Sequence, residues 1–214
     1  MTTDRHWNRI FAGRDDAELG WYEDDASQTL KFLDRIPEAA GGRVFVPGAG
    51  TSVLVDALLE RGYRLILNDI SDTALERLRQ RIGTRPDRLT WLRHDIARPL
   101  PDGLPAADVW IDRAVLHFLR DEADIAGYFR NLRQALRPGG RVLLAEFSTA
   151  GAARCAGLDV HRYSLAELSR RLGPEFELLC HEDYTFTNPS GEPRPYLYAL
   201  YRHSGAGGPA PGGG

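Results

Sequence analysis

Lysine is nearly missing from this chain: Lys31 is the only one, and the remaining basic side chains are arginines scattered along the sequence. With a formal charge of -3 and no basic stripe, nothing here suggests a nucleic-acid partner. Cysteine is also scarce. Cys155 and Cys180 stand alone, without the spacing of a metal site, so neither a disulfide framework nor a zinc site is expected. No apolar run is long enough to cross a bilayer, nothing resembles a signal peptide, and no internal repeat is visible. These absences leave a soluble, cytoplasmic protein as the expectation. The 214 residues, 43% hydrophobic and 27% charged, suffice for one globular unit with a full core.

What is present is organised around Val44-Phe45-Val46-Pro47-Gly48-Ala49-Gly50-Thr51-Ser52. A short apolar run breaks into two glycines one residue apart, and an apolar helical pattern follows from Val53 to Arg61. Strand, glycine turn and helix open a nucleotide-binding α/β unit. Glycine lets backbone approach a ligand with no Cβ in the way, and a helix start offers free N–H groups.

Before that stretch, Trp7, Ile10 and Phe11 recur at helical spacing, and Leu30, Leu33 and Ile36 suggest a second short helix ending at Pro37. Residues 1–40 read as a helical cover, or as a lid whose Trp21-Tyr22 pair closes over a ligand. After it, the spacing predicts strands over Arg43–Pro47, Arg64–Asn68, Leu89–Arg93, Asp108–Ile111 and Arg141–Phe147. Helices are expected over Ser52–Arg61, from the N-cap Ser71 to about Ile82, and over Glu122–Leu136, the last stopped by Arg137-Pro138-Gly139-Gly140. Such alternation predicts a mostly parallel sheet with right-handed crossovers. Ser148–Arg162 reads as a small-residue loop, and Ser164-Leu165-Ala166-Glu167 as a capping box opening a helix to about Leu172. Phe176–Phe186 and Tyr196–Tyr201 are two strands joined by turn residues, hence antiparallel. Residues 41–203 form one α/β domain carrying the ligand edge in this reading, and 204–214 a disordered tail.

Three acids follow strand ends: Asp69, Asp95 and Asp112. Asp69 lies 21 positions after Gly48, close to the interval at which an acid meets a ribose hydroxyl. All three would sit on the carboxyl edge of the sheet, where ligands bind. A nicotinamide enzyme would place Gly or Ala where Val53 stands, and no Lys follows the glycines as a phosphate loop requires.

Taken together, these segments resemble the class I S-adenosylmethionine-dependent methyltransferases, over nearly all of residues 5–203. The Val46–Ser52 run is similar to the cofactor loop of the thiopurine S-methyltransferase-like branch, usually V-P-G-C-G-K-S, with Ala49 and Thr51 departing from it. Trp110-Ile111-Asp112-Arg113-Ala114-Val115-Leu116 resembles that branch's D-R-x-A-L segment. His6-Trp7-Asn8 and Gly20-Trp21-Tyr22 resemble the N-terminal pattern of small bacterial methyltransferases and of some protein lysine methyltransferases. The resemblance implies a doubly wound, mostly parallel seven-stranded sheet with an antiparallel C-terminal hairpin. It also implies S-adenosylmethionine as cofactor and S-adenosylhomocysteine as product; no metal site is expected from the residues. Gly48, Ala49 and Gly50 would border the methionine moiety, with Trp21 above. Asp69 would accept the ribose hydroxyls with Ile70 against the adenine; Asp95 would meet the adenine amino group with Ile96 nearby. Asp112 and Arg113 would lie by the methionine end and the acceptor. Two of these acids have blander readings: Asp95 as a loop cap, Asp112 as a strand-end acid paired with Arg113 or Arg141.

Methyl transfer is an in-line displacement, so positioning and desolvation supply much of the rate, and a base matters only for a protonated nucleophile. Candidate bases are His117, Tyr22, Tyr184 and the unpaired acids; His117 as ordinary polar lining is the competing view. Arg113 either orients an anionic acceptor or pairs with an acid. The expected acceptor is a small, partly apolar molecule walled by Trp21, Tyr22, Phe118, Tyr163, Tyr184 and Phe186, and the expected assembly a monomer or weak homodimer. The rivals are a protein-lysine methyltransferase using acids such as Glu23-Asp24-Asp25 and Glu182-Asp183, an NAD(P)-dependent oxidoreductase, and a cofactor-binding protein without turnover.

Overall fold

A computed structural model of the chain describes residues 4–205. In chain order its helices are α1 (Asp4–Gly13), α2 (Ser27–Leu33), α3 (Leu54–Glu60), α4 (Asp72–Ile82), α5 (Glu122–Ala135) and α6 (Leu165–Leu172). Its strands are β1 (Arg43–Val46), β2 (Arg64–Asp69), β3 (Leu89–Arg93), β4 (Ala107–Arg113), β5 (Leu136–Phe147), β6 (Arg154–Cys155), β7 (Leu158–Asp159), β8 (Phe176–Thr187) and β9 (Pro193–His203). Seven strands form one sheet in the order β3-β2-β1-β4-β5-β9-β8. β1 to β5 pair in parallel, and β9 runs antiparallel between β5 and β8. This is the expected mostly parallel seven-stranded sheet with an antiparallel C-terminal pair. The strand order reverses between β1 and β4, which makes their carboxyl ends the crevice where a ligand fits.

The central strands read as apolar runs because helices cover both faces. One face packs Val44, Val46, Leu65, Leu67 and Ile111 against α2, α3 and α4. The other packs Phe45, Ile66, Trp110 and Leu144 against α5 and α6. Local chemistry sets the ends of the helices. Ser71 caps α4 by accepting from Ala74 N at 3.1 Å, and Gly83, at φ +76°, ends it.

The differences from expectation are local. α3 has seven residues and starts at Leu54, two residues later than expected. α5 stops at Ala135 because Leu136 already pairs with Ala107; the Pro138-Gly139-Gly140 segment is carried inside β5, with a register shift against β4. The loop after β5 contains the small hairpin β6–β7. In the N-terminal cover, a 3-10 turn at Asp16–Glu18 and extended chain separate α1 from α2, which ends at Leu33 before a further 3-10 turn at Pro37–Ala39. Ser204 still bonds the Glu175 carbonyl at 2.8 Å; the rest of the expected tail, residues 206–214, and residues 1–3 lie outside the described residues. Among the described residues, no helix is long and apolar enough to cross a membrane.

Candidate active site

The carboxyl ends of β1, β2 and β4 open into a cavity of about 690 Å³. Its floor is the turn after β1. Gly48 (φ +53°) and Gly50 (φ +52°) take the left-handed conformation that glycine adopts without strain. At Gly48 a Cβ would lie 2.3 Å from Val115 Cγ2, so no side chain fits there. The turn is tied to β2. Ala49 N donates to Asn68 O at 2.8 Å, and Gly50 N donates to Asp69 Oδ2 at 2.9 Å. Asp69 Oδ1 accepts from Ser71 N at 2.8 Å. The Asp69 carboxylate therefore joins the glycine turn to the start of α4 while lining the cavity, with 6% of its surface exposed. Burial pushes its carboxyl up to about 6, against the backbone N–H bonds that favour its ionised form.

Ile70, Asp95 and Ile96 continue the wall. Asp95 also caps its own loop: Ala97 N donates to Oδ1 at 3.0 Å, and Arg98 stands 3.6 Å away. That loop is clamped by α5. Asn131 Nδ2 donates to Ile96 O at 2.7 Å and to Arg98 O at 2.6 Å, and Gly127 lets the helix approach the Ala97 carbonyl.

The roof comes from the N-terminal cover. Trp7, Phe11, Leu19, Trp21 and Tyr22 line the cavity, with Trp7 edge-on to Trp21 (5.6 Å) and to Phe118 (4.8 Å). The cover is pinned by Ser71 Oγ donating to Asn8 Oδ1 (2.6 Å), Thr51 Oγ1 to Asp16 (2.7 Å) and Arg77 to the Phe11 carbonyl (2.5 Å). Arg113 fastens it from below. Its guanidinium bridges Glu23 at 2.6 Å, donates to the Trp21 carbonyl at 2.9 Å, and stacks on Phe186 and Tyr196. Burial raises the Glu23 carboxyl and Arg113 pulls it back down. Of the two sequence alternatives, pairing with an acid is the one seen.

Two expected site residues lie elsewhere. Successive residues of a strand face opposite ways. With Ile111 and Arg113 on the cavity side, Asp112 points behind the sheet and is fully buried. Its partner is neither Arg113 nor Arg141: it accepts from Val115 N (3.0 Å), Leu116 N (3.2 Å) and Tyr128 Oη (2.5 Å), so it caps the turn after β4. His117 on that turn is also fully buried and off the cavity, stacked on Phe147, with Nδ1 2.7 Å from Glu146 Oε2. Burial drives its imidazole down to about 3 and the Glu146 carboxyl up to about 8, while the neighbouring Asp112 is raised too. A neutral ring sealed from the cavity corrects the view of His117 as a base facing the acceptor. Of the expected aromatic wall, Trp21, Tyr22 and Phe118 line the cavity; Tyr163 is buried on the other face, and Tyr184 and Phe186 pack on the core.

The remaining expected residues, Trp21, Gly48, Ala49, Gly50, Asp69, Ile70, Asp95, Ile96 and Arg113, come together on this one cavity. Sequence reasoning missed Glu146, Glu23 as the Arg113 partner, and His161 on the cavity wall. Glu146 carried a signal: it is a lone acid inside an apolar strand. The acids invoked for a protein-lysine groove are partly engaged, Glu23 by Arg113 and Glu182 by Lys31 at 2.7 Å. Among the described residues, no group of three or more His, Cys, Asp or Glu side chains is placed to hold a metal ion.

Residues 47–142 match the family described as "Methyltransferase domain". A ubiquinone/menaquinone biosynthesis C-methyltransferase of Paracoccus denitrificans is 31% identical over 122 residues, 55% of this chain and 47% of that protein. A thiopurine S-methyltransferase of Xanthobacter autotrophicus is 33% identical over 111 residues, 45% of this chain and 52% of that protein. The chain thus spans about half the length of these curated relatives. A solved 1,6-didemethyltoxoflavin-N1-methyltransferase of Burkholderia thailandensis, with its substrate and S-adenosylhomocysteine bound, has the same fold, with a TM-score of 0.65 at 21% identity. It covers 85% of this chain and 80% of its own.

Proposed function

From the methyltransferase domain that residues 47–142 form, we infer that this chain is a class I methyltransferase that moves a methyl group from S-adenosylmethionine to a small, partly apolar acceptor. The observation that carries this reading is Asp69: a buried carboxylate on the cavity wall that also holds the Gly50 amide of the glycine turn. Each carboxylate oxygen keeps a lone pair beyond its backbone bond, which suits a ribose diol. The turn at Gly48 has no room for a Cβ, Ile70 and Ile96 offer apolar contact for a base, and the cavity volume falls within the range of about 300–1,000 Å³ usual for such sites.

When bound, S-adenosylmethionine supplies a methyl on a sulfonium sulfur that departs as a neutral thioether. The chain's own residues do the remainder. Gly48–Gly50 approach with bare backbone, Asp69 and Asp95 fix the nucleoside, and the Trp7–Trp21–Phe118 roof excludes water. Arg113, committed to Glu23, holds that roof in place. In a water-free, aligned site the transfer needs orientation more than reactive side chains. The acceptor end, bounded by Tyr22, Phe118 and Val160, suits an apolar ring with a few polar atoms. We propose a monomer or weak homodimer acting in the cytoplasm, without nucleic acid. A thermal-shift assay tests the reading: S-adenosylhomocysteine raises Tm by several degrees and NAD(P) does not; the reverse pattern would replace this reading with the oxidoreductase.

A further inference from the structure

His161 lines the same cavity as the glycine turn, and its ring is held by an acid. Its Nε2 is 2.8 Å from Glu167 Oε1. Glu167 stands at the third position of α6, where a capping-box glutamate would reach back to the amide of Ser164. Here only half of that box forms. Ser164 Oγ accepts from Glu167 N at 3.2 Å, while the Glu167 carboxylate turns away to His161 and to Arg171 Nε, also at 2.8 Å. Arg171 is clamped in turn by both carboxylate oxygens of Glu122 at 2.9 Å. The backbone of residues 161–163 is equally fixed: His161 N donates to His117 O at 2.8 Å, and Tyr163 N to Phe147 O at 2.9 Å. A carboxylate beside Nε2 keeps the ring proton there and leaves Nδ1 with its lone pair. Among the described residues, Nδ1 has no hydrogen-bond partner. Arg120 and Asp159, 3.4 Å apart, and Asp121 and Asp124 line the same cavity.

We propose that His161 is the general base of this site and that Glu167 is its positioning residue, so that the acceptor's nucleophile is a protic oxygen or nitrogen. This rests on the methyltransferase reading above. As the acceptor's lone pair forms the new bond to the methyl carbon, the methyl–sulfur bonding pair stays on sulfur. The O–H or N–H proton passes to His161 Nδ1, and from there to water at the cavity mouth. His161, not the sealed His117, takes the part of the base.

The test uses the full chain saturated with S-adenosylhomocysteine and labelled with 15N at histidine. Long-range 1H–15N spectra at pH 8, with His161 assigned by its loss in His161→Asn, read the tautomer. The expected result is a proton on Nε2 and a bare Nδ1, with mixed tautomers in Glu167→Ala and the wild-type pattern regained in Glu167→Gln. A protonated Nδ1, or a Glu167→Ala spectrum identical to wild type, overturns the assignment. A methylation panel adds the second readout. His161→Asn should lower kcat at least 30-fold on phenols, with KM within threefold, and change the rate on thiophenol, already a thiolate at this pH, less than threefold. Equal losses on both, or none on phenols, reject the base. If S-adenosylhomocysteine fails to bind the wild type, the methyltransferase reading itself fails; if it binds and the tautomer or panel result is contrary, only the base is lost.

Discussion

Asp69 bears two duties at once, and its acid–base behaviour ties them together. Truncation in Asp69→Ala removes a charged acceptor and loosens the Gly50 amide, which should weaken S-adenosylhomocysteine by about 1–3 kcal/mol, the range for a charged hydrogen bond. Calorimetry reads this directly, and an unchanged Kd would take Asp69 out of the site. Because burial holds its carboxyl at about 6, a ligand that uses the ionised form must expel a proton in acid. Binding is then fully developed above pH 7 and is lost as pH falls through 6, with Kd at pH 5 about tenfold above its value at pH 7.5. A flat profile contradicts the assignment. Asp69 was legible in the sequence because its distance from Gly48 follows from the length of a strand–helix–strand unit. His117 was misread: spacing shows that it follows β4, but not that a 3-10 turn buries it against Glu146, a partner far away in sequence.

Elements explain what single residues leave open. β4 shows why Asp112 and Arg113 part company: the period of two in a strand allows one to face the cavity and sends the other behind it. That alternation was available in the sequence; which face was open depended on neighbouring strands. α5 positions the loop carrying Asp95 and Ile96 through Asn131 and the close approach at Gly127. Alanine is ordinarily better than glycine within a helix by about 1 kcal/mol. At Gly127 a Cβ would stand 2.0 Å from the Ala97 carbonyl oxygen, a backbone atom, so overpacking outweighs propensity. Gly127→Ala should destabilise the fold by about 3 kcal/mol and weaken cofactor binding along with it. Urea denaturation showing a gain in stability would mean that α5 does not touch this loop.

At the scale of the whole molecule, the buried cluster of Asp112, His117, Tyr128 and Glu146 sets the pH range of stability. Glu146 is raised to about 8 from an ordinary 4.5, chiefly by burial. The folded chain keeps that proton where the unfolded chain releases it. Its contribution is therefore complete below about pH 4.5 and is lost as pH rises through 8. Asp69, raised to about 6, acts in the same direction over a lower window. Tm should fall between pH 5 and 9, and Glu146→Gln should flatten that fall and exceed wild type at pH 9. Equal slopes in the two proteins would show that Glu146 ionises freely. The parallel character of the sheet and its antiparallel ending were readable from element alternation and the direct C-terminal turn, because connection lengths restrict topology; the order of the strands was not. The cover's route was not, since its aromatics serve core and cavity alike.

The central claim is that the crevice at the ends of β1, β2 and β4 binds an adenosyl-sulfur ligand. Calorimetric titration of the full chain with S-adenosylhomocysteine at pH 7.5 tests it most directly. One-to-one binding with a micromolar Kd, weakened at least fivefold in Asp69→Ala, is the expected result; an absence of heat and of competition by S-adenosylmethionine, in protein shown to be folded, would mean that the crevice does not hold this ligand.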